Sequence, residues 1–369
     1  MSDRLKALFN DYGQSPWLDN LKRSYITSGE LIGIRNSGIR GLTSNPTIFQ
    51  KAIQGSEDYS EQFTALVNQK LSPIDCYWQL VLRDINSALE IFEPLYESSS
   101  GLDGFVSVEV DPSLAHEQSK TLLAARELDE QIKRPNVMIK IPATVEGVPV
   151  IKTMISEGRN VNVTLIFSLE RYQEVIDAYI EGLEILATTN PKSVASVSSV
   201  ASFFISRVDT EIDRQLELVG SDQANGLLGT AAINQAKLAY QMFKKSFSGP
   251  RWSKLAQLGA NVQRPLWAST STKNPKYRDT IYVDSLIGEH TVNTLPDTTV
   301  EAFSDHGSLS STIETNLDMA NSQWADLKTV GVNVSEVAEK LEREGVASFQ
   351  KSFDDLLVAL SAKTAELLK

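Results

Sequence analysis

One lysine, Lys140, lies in the middle of a short apolar segment, Asn136-Val-Met-Ile-Lys-Ile-Pro-Ala143. In an extended strand, Lys140 shares one face with Met138 and Pro142. Lysine is seldom fully buried without a reason, and an amine held away from water loses its proton more readily. A neutral amine can attack a carbonyl carbon and form a Schiff base. The commoner alternative is a structural lysine that is salt-bridged or lies at a sheet edge.

Schiff-base chemistry also needs groups that give and take protons, and three candidates lie at predicted strand ends. A proton donor assists loss of water from the carbinolamine, and cleavage of a C–C bond requires a base. Glu109 could act as this acid/base through a water held by Thr164, and Asp19 could accept the proton of a sugar hydroxyl. The structural alternatives are that Glu109 pairs with Thr164 and that Asp19 caps a helix.

Further polar side chains at predicted strand ends are candidates for substrate binding. Asn45 and Ser202 could hydrogen-bond substrate hydroxyls, because both carry short polar side chains. Arg207, Ser269 and Lys273 could hold a phosphate. Each has a structural alternative, such as a turn for Asn45 and a surface ion pair for Arg207. The convergence of all these groups around one lysine favours a functional site.

Eight short apolar runs alternate with longer segments of helical period, and each run predicts a β-strand. Such α/β alternation builds an open doubly wound sheet or a closed (β/α)8 barrel, and eight units over about 290 residues favour the barrel. No glycine-rich loop follows the first strand, which weakens a dinucleotide-binding interpretation. In a barrel the carboxyl ends of the strands meet at one rim. The predicted strands cover residues 15–21, 41–45, 105–110, 137–142, 161–167, 194–204, 265–270 and 280–286.

The chain is predicted to form a single (β/α)8 TIM barrel domain over residues 1–369, with additional helices in two places. The segment at about 207–264, between strands 6 and 7, is too long for one helix and is predicted to hold two or three. Residues at about 334–369 have helical spacing interrupted by Gly345, which predicts a pair of C-terminal helices that fold back on the barrel. Asp111-Pro112 is typical of a helix start and predicts a helix that runs to about Gln131.

The net charge is −12, which argues against a nucleic-acid-binding surface but leaves room for a small phosphorylated substrate. One cysteine and three scattered histidines provide neither a disulfide framework nor metal-ligand spacing. No stretch approaches the roughly 20 apolar residues of a membrane span, and the charged N-terminus lacks the apolar core of a signal peptide. We therefore expect a cytoplasmic protein with no cofactor, no nucleic-acid partner and no membrane anchor. A homodimer is compatible with the sequence but is not specified by it.

Three segments carry a resemblance to a known family. Gly41-Leu-Thr-Ser-Asn-Pro-Thr-Ile-Phe49 resembles the first transaldolase motif, and Met138-Ile-Lys-Ile-Pro-Ala-Thr-Val-Glu-Gly147 resembles the second, which contains the Schiff-base lysine. Asn162-Val-Thr-Leu-Ile-Phe-Ser168 is similar to the strand that follows in that family. The resemblance extends over about residues 17–296. It implies a class I (Schiff-base) barrel whose lysine lies on the fourth strand.

The resemblance implies an enzyme of the pentose phosphate pathway that transfers a dihydroxyacetone unit between sugar phosphates. The donor would be sedoheptulose 7-phosphate or fructose 6-phosphate, and the acceptor glyceraldehyde 3-phosphate or erythrose 4-phosphate. No cofactor or metal is implied, because the amine supplies the electron sink. The resemblance implies the roles argued above for Asp19, Asn45, Glu109, Lys140, Thr164, Ser202 and Arg207.

The chain departs from the shorter bacterial transaldolases in two places. The segment between strands 6 and 7 is longer, and the phosphate motif reads Ala268-Ser-Thr-Ser-Thr-Lys273. The shorter enzymes place an arginine two residues after the serine of this motif. Both features resemble a longer transaldolase subgroup found in some bacteria.

Two other functions remain as alternatives. A related fructose 6-phosphate aldolase would hydrolyse the same Schiff base and release free dihydroxyacetone. Glu109 and Phe204 favour a transaldolase, because those aldolases usually carry tyrosine at the position of Phe204. The second alternative is a non-catalytic barrel retained as a scaffold, on which no substrate could be trapped with borohydride.

Overall fold

The computed structural model describes residues 3–368. Met1 and Ser2, where the predicted N-terminal segment begins, and Lys369, where the predicted C-terminal helices end, lie outside the described residues. Eight parallel strands form a closed barrel in sequence order, with the last strand paired to the first, so the predicted (β/α)8 fold class is confirmed. The strands are β1 Gln14–Leu18, β2 Leu42–Thr43, β3 Val106–Glu109, β4 Val137–Pro142, β5 Val161–Ile166, β6 Ser199–Phe204, β7 Arg264–Ala268 and β8 Thr291–Leu295.

Seventeen α-helices surround the strands within residues 3–368. They are α1 Arg4–Asn10, α2 Arg23–Thr27, α3 Glu30–Asn36, α4 Pro46–Gln54, α5 Ser60–Asn68, α6 Pro73–Ser98, α7 Gln118–Ile132, α8 Gly147–Ser156, α9 Leu169–Thr189, α10 Ser206–Val219, α11 Asp222–Asn225, α12 Ala231–Ser246, α13 Pro250–Ala256, α14 Ile281–Asp284, α15 Asp297–His306, α16 Leu317–Thr329 and α17 Val334–Leu367. Short 3-10 helices cover Glu57–Tyr59, Pro112–Leu114 and Pro191–Ser196.

The predicted eighth strand, residues 280–286, is wrong. This segment forms the short helix α14, in which the Thr280 hydroxyl donates to the Asp284 carboxylate one turn later, over 2.7 Å. Its β-branched and aromatic residues resemble those of a strand. In the structure Tyr282 is buried from a helix, and its hydroxyl donates a hydrogen bond to Asp209 of α10 (2.8 Å). The true strand, β8, reads Thr-Val-Asn-Thr-Leu, and its three polar residues hide it from a search for apolar runs.

Two further boundaries differ from the prediction because 3-10 turns precede the regular elements. Asp111 caps the 3-10 helix Pro112–Leu114, not a long helix, and α7 begins only at Gln118. The predicted sixth strand starts too early, since residues 191–196 are 3-10 helical and β6 begins at Ser199. Such turns satisfy proline geometry, which fixes φ and offers no amide hydrogen.

The C-terminal segment is one long helix, so the predicted pair of helices broken at Gly345 is wrong. Gly345 serves close packing: a Cβ atom there would lie 2.9 Å from Leu165 and 3.6 Å from Arg207. Helix α17 therefore crosses the carboxyl-end rim of the barrel in direct contact with β5. It is held on one side by the hydroxyl pair of Thr47 and Ser352 (2.8 Å) and on the other by the ion pair of Lys340 with Glu211 (2.7 Å).

Four helices, α10 to α13, lie between β6 and β7, where two or three were predicted, because the segment also holds the single-turn helix α11. They contact the loop after β7 through Asp213 of α10. Its carboxylate accepts one hydrogen bond from the Tyr277 hydroxyl (2.6 Å) and another from the Gly229 amide (2.8 Å). Gly229 has φ +71°, and a Cβ there would lie 2.7 Å from the Tyr277 ring. The helices thus support the loop that carries Lys273, a role that the sequence did not reveal.

In the described residues, none of the helices is both long and apolar enough to cross a membrane.

Candidate active site

Lys140 lies on β4 directly beside Glu109 of β3, since the two residues are register partners in the sheet. The Lys140 Nζ atom lies 3.4 Å from Glu109 Oε2 and donates a hydrogen bond to the carbonyl oxygen of Ser44, over 3.2 Å. Both side chains are almost completely buried, with 6% and 5% exposed. The Lys140 amine is therefore shielded from bulk water and lies beside a carboxylate, an environment that suits Schiff-base chemistry.

Burial raises the pKa of Glu109, and the neighbouring positive charge of Lys140 opposes that rise. Glu109 Oε2 and Thr164 Oγ1 are both buried, and neither makes a hydrogen bond with a described residue. Buried polar atoms of this kind are normally satisfied by ordered water. The surroundings of Glu109 thus suit a group that exchanges a proton with a water molecule.

Thr164 owes its position to an irregularity in β5. The pairing with β6 shifts between Val163 and Ile166, and Leu165 has a left-handed backbone with φ +60°. Left-handed backbone is uncommon for a branched side chain, and bulges often lie beside active sites, where they change the direction of a side chain. No signal in the sequence predicted this bulge.

Asp19 follows β1 at the same rim. Its backbone amide donates to Leu295 of β8, and its carboxylate accepts a hydrogen bond from the Thr43 hydroxyl, each over 2.9 Å. Asp19 therefore caps no helix, and Thr43 fixes the direction of the carboxylate. An oriented carboxylate at the cavity wall can accept a proton from a substrate hydroxyl.

Asn45 combines a structural role with a place in the cavity. Its backbone is extended, as expected before Pro46, and its Oδ1 accepts a hydrogen bond from the Ile48 amide (3.0 Å) at the start of α4. Because the cap uses only the oxygen, the amide NH2 group is left to donate elsewhere.

Ser202 belongs to a buried chain of hydrogen bonds across the barrel interior. Its hydroxyl donates to Asn162 Oδ1 (2.7 Å), and Asn162 Nδ2 donates to Ser107 (2.9 Å). The chain fixes the orientation of Ser202 at the cavity wall. Its oxygen still has acceptor capacity toward a substrate hydroxyl.

The Arg207 guanidinium lies between two aromatic rings, 5.1 Å from the centre of Phe204 and 5.9 Å from that of Phe349. It makes no hydrogen bond or ion pair with any residue in the range 3–368. Burial lowers the pKa of Arg207, although the guanidinium remains charged at neutral pH. A cation held in this way, without a carboxylate partner, is available for an anionic ligand.

The loop after β7 places two further candidate phosphate ligands at the rim. Ser269 has a left-handed backbone (φ +56°), and its hydroxyl lies 3.0 Å from that of Ser206. The Lys273 amine donates to the Ser271 hydroxyl (2.6 Å). Burial, followed by the positive charge of Arg207, lowers the pKa of Lys273.

One cavity of about 370 Å³ at the carboxyl ends of the strands joins nine of the ten predicted site residues. Glu109 is the exception, because it lies behind Lys140 and is not part of the cavity wall. The nine that line the cavity are Asp19, Asn45, Lys140, Thr164, Ser202, Phe204, Arg207, Ser269 and Lys273.

Besides three threonines, Thr43, Thr47 and Thr294, the sequence missed four polar or aromatic residues of this cavity. Lys51 lies on α4, Ser271 on the loop after β7, and Ser348 and Phe349 on α17. Ser271 could have been found from its place in the phosphate motif. The sequence predicted that the C-terminal helices fold back on the barrel, but not that they reach its mouth.

A larger cavity of about 590 Å³ lies at the opposite end of the barrel and includes Asp103, Arg264 and His290. It contains none of the predicted site residues. In (β/α)8 barrels the amino ends of the strands usually serve stability, whereas chemistry takes place at the carboxyl ends. Size alone therefore does not identify the functional cavity, and the smaller one carries the reactive groups.

Comparison with known proteins agrees with this geometry. The profile of the Transaldolase/Fructose-6-phosphate aldolase family matches residues 16–360. The chain belongs to this family. It is 46% identical over 353 residues to "Transaldolase 1" of Streptomyces coelicolor, which covers 95% of this chain and 92% of the relative. It is 47% identical to a transaldolase of Parafrankia (94% of each chain) and 45% identical to one of Trichodesmium erythraeum (96% of each chain).

Membership of the transaldolase family confirms the resemblance on which the sequence-based prediction rested. It also confirms the predicted enzyme class, a transferase of aldehyde or ketone residues, and the transaldolase function. The roles of the individual site residues are a separate matter and are argued next from their geometry.

Proposed function

We propose that the cavity transfers a dihydroxyacetone unit between sugar phosphates through a Schiff base on Lys140. The observation that carries this proposal is the buried Lys140 amine, 3.4 Å from the Glu109 carboxylate, in the wall of a cavity that also presents unpaired cations. A structural ion pair would account for the first two groups. It would not account for the cavity beside them or for the cations that face it.

The first half-reaction uses Lys140 and Glu109. The Lys140 ammonium group passes a proton to the neighbouring Glu109 carboxylate, and the neutral amine then attacks the C2 carbonyl carbon of the donor, which gives a carbinolamine. Loss of water then requires a proton on the departing hydroxyl, and a water bound between Glu109 and Thr164 can deliver it. The raised pKa of Glu109 favours the protonated acid that starts this transfer.

Cleavage of the C3–C4 bond needs a base that removes the proton of the C4 hydroxyl. The Asp19 carboxylate accepts the proton of the C4 hydroxyl, the C3–C4 bond breaks, and its electron pair moves toward the imine nitrogen. The aldose phosphate leaves, while the three-carbon enamine stays bound to Lys140. Attack of the enamine on the acceptor aldehyde reverses these steps, and hydrolysis of the new imine releases the product.

The cations at the rim of the cavity support phosphorylated substrates. Arg207, Ser269 and Lys273 would bind the phosphate of a fructose 6-phosphate or sedoheptulose 7-phosphate donor, and later that of a glyceraldehyde 3-phosphate or erythrose 4-phosphate acceptor. Asn45 and Ser202 would bind sugar hydroxyls. The cytoplasmic location and the oligomeric state stay predictions of the sequence.

The first test traps the covalent intermediate. Incubation with fructose 6-phosphate and sodium borohydride should add the mass of a reduced dihydroxyacetone unit to the peptide that contains Lys140. Lys140→Ala should lower kcat by more than about 1000-fold and abolish the adduct, while the circular dichroism spectrum stays native. Lys152→Ala, a surface lysine change, is the matched control. An adduct of undiminished yield in Lys140→Ala would contradict the proposal.

The fructose 6-phosphate aldolase activity is the second candidate, because the same imine can also be hydrolysed directly. Phe204 disfavours the aldolase activity, because its side chain has no hydroxyl that could activate a hydrolytic water. Its ring packs on Phe167 (centroids 5.1 Å apart) and under the Arg207 guanidinium. Release of glyceraldehyde 3-phosphate from fructose 6-phosphate, measured with and without erythrose 4-phosphate, separates the two. Release that needs the acceptor indicates a transaldolase, and equal release without it indicates an aldolase.

A further inference from the structure

Besides Lys140, three cations face the active-site cavity, and each comes from a different part of the barrel. Arg207 follows β6, Lys273 lies in the loop after β7, and Lys51 lies on α4. Within residues 3–368 none of the three has a carboxylate within ion-pair distance. The protein as a whole carries a net charge of −12, so carboxylates are abundant elsewhere. Three like charges left unpaired around one cavity imply an anionic ligand.

Lys51 itself has no partner among the described residues. Its amine makes no hydrogen bond, ion pair or ring contact there, and its side chain is exposed at the cavity rim. Its position is fixed by α4, which begins at Asn45 and Pro46 and is anchored to α17 through Thr47. The positive charge of Lys51 also adds to the lowering of the pKa of Lys273, so the two amines act on the same space.

The loop after β7 brings two hydroxyl groups and one amine to the cavity wall, those of Ser269, Ser271 and Lys273. A serine supplies a hydrogen bond but no charge. The cavity therefore has one fixed guanidinium, Arg207, and its remaining positive charge comes from flexible lysines.

We propose that Lys51 is a phosphate-binding residue of this enzyme and supplies, with Lys273, positive charge beside the fixed guanidinium of Arg207. The proposal rests on the function proposed above, because it adds a ligand to the phosphate site of the same cavity. Lysine is a mobile point charge, unlike the planar arginine fork. Lys51 would therefore follow the phosphate as it shifts between donors and acceptors of different chain length.

The test compares Lys51→Gln with Lys276→Gln, an equal loss of charge on an exposed lysine that lies outside the cavity wall. Isothermal titration with inorganic phosphate measures anion binding without turnover. Lys51→Gln should weaken phosphate binding about tenfold, the scale of one charge-assisted contact, and Lys276→Gln should leave it within about twofold. The ratio of kcat/KM for fructose 6-phosphate to that for fructose should fall in parallel, because only the first carries a phosphate.

Two outcomes would overturn the proposal and are distinct from a failure of the proposed function. Equal, small effects of Lys51→Gln and Lys276→Gln on phosphate binding would show that Lys51 acts only through the long-range electrostatic potential of the protein. A fall in kcat/KM that is the same for fructose and fructose 6-phosphate would show that Lys51 does not act on the phosphate. If instead the wild type bound phosphate but formed no borohydride adduct, the Schiff-base function would fail while the anion site stood.

Discussion

At the scale of single residues, the site depends on how burial changes the chemistry of ordinary side chains. Glu109 and Lys140 occupy neighbouring register positions on adjacent strands, and both are buried. The lysine was found from the sequence because a charged residue in an apolar run is conspicuous. Its partner was found only because strand ends converge in a barrel. The stack of Arg207 between two rings could not be predicted, since Phe349 lies more than a hundred residues away in sequence.

Glu109→Gln tests the acid at this scale. Glutamine keeps the shape but can neither give nor take the proton, so the rate of imine formation should fall by roughly 100-fold or more while the donor KM changes little. Because burial raises the pKa of Glu109, the wild-type rate should fall as pH increases through a value above that of an ordinary glutamate. The rate of the Glu109→Gln variant should not show this decrease with pH. Stopped-flow measurement of imine formation between pH 5 and 9 checks both points, and an unchanged rate would exclude the role.

At the scale of elements, α17 makes the largest difference between the predicted and the observed site. Its helical period was readable from the sequence, but its path across the barrel mouth was not. The glycine taken as a helix break is instead a place of close approach, a distinction that depends on Leu165 from a distant strand. The same limit applies to the segment 280–286, whose apolar residues predicted a strand. They are buried from the helix α14 instead, where Tyr282 contacts Asp209.

Gly345→Leu tests whether α17 completes the site. The new side chain would collide with Leu165 and press on Arg207, which should lift α17 and move Phe349 away from the cavity. We expect KM for fructose 6-phosphate to rise roughly tenfold, because small displacements of positioning groups are costly. Ala347→Leu, an exposed position on the same helix, is the control and should change neither KM nor the melting temperature. Normal kinetics in Gly345→Leu would mean that α17 is not part of the working site.

The contact between α10 and α14 makes stability depend on pH. Asp209 is almost fully buried, and this desolvation raises its pKa from 3.8 to about 6 in spite of hydrogen bonds from Ala232 and Tyr282. Since the folded pKa is the higher one, the folded state binds the extra proton. This stabilising contribution is full below about pH 4 and is lost as pH rises through about 6.

Asp209→Asn removes this dependence. Between pH 4 and pH 7 the free energy of unfolding of the wild type should fall relative to that of the variant by about 3 kcal/mol, from a shift of roughly two pKa units. Urea unfolding of both proteins at several pH values measures the difference directly. A difference that is constant with pH, or that changes in the opposite direction, would contradict the buried titration.

At the scale of the whole molecule, the two ends of the barrel are built from different kinds of polar group. At the carboxyl ends of the strands, cations and hydroxyls face a cavity, and among residues 3–368 Arg207 and Lys51 have no ion-pair partner and Thr164 Oγ1 has no hydrogen-bond partner. At the amino ends, the buried Asp103 carboxylate is fully engaged. Its oxygens accept hydrogen bonds from Ser15 (2.7 Å), Arg40 (2.6 Å), Trp17 (3.2 Å) and Arg264 (3.1 Å).

This division explains why the barrel and its rim were predictable while several details were not. Strand–helix alternation gives the fold class, and the fold class places strand-end residues at one rim. Backbone exceptions such as Leu165 and Ser269 depend on neighbours that only the closed barrel brings together.

Asp103→Asn tests the division between the two ends. Asparagine keeps the shape but removes the charge that holds Arg40 and Arg264, so these partly buried guanidinium groups lose their counter-ion. We expect the free energy of unfolding to fall by about 3 kcal/mol, the scale of a broken buried ion pair. Because the network links β1, β7 and the loops before β2 and β3 at the end of the barrel remote from Lys140, kcat/KM of the folded enzyme should stay within about twofold. Urea unfolding and kinetics on the same preparation measure both quantities, and a loss of activity without a loss of stability would show that the amino end of the barrel also serves the reaction.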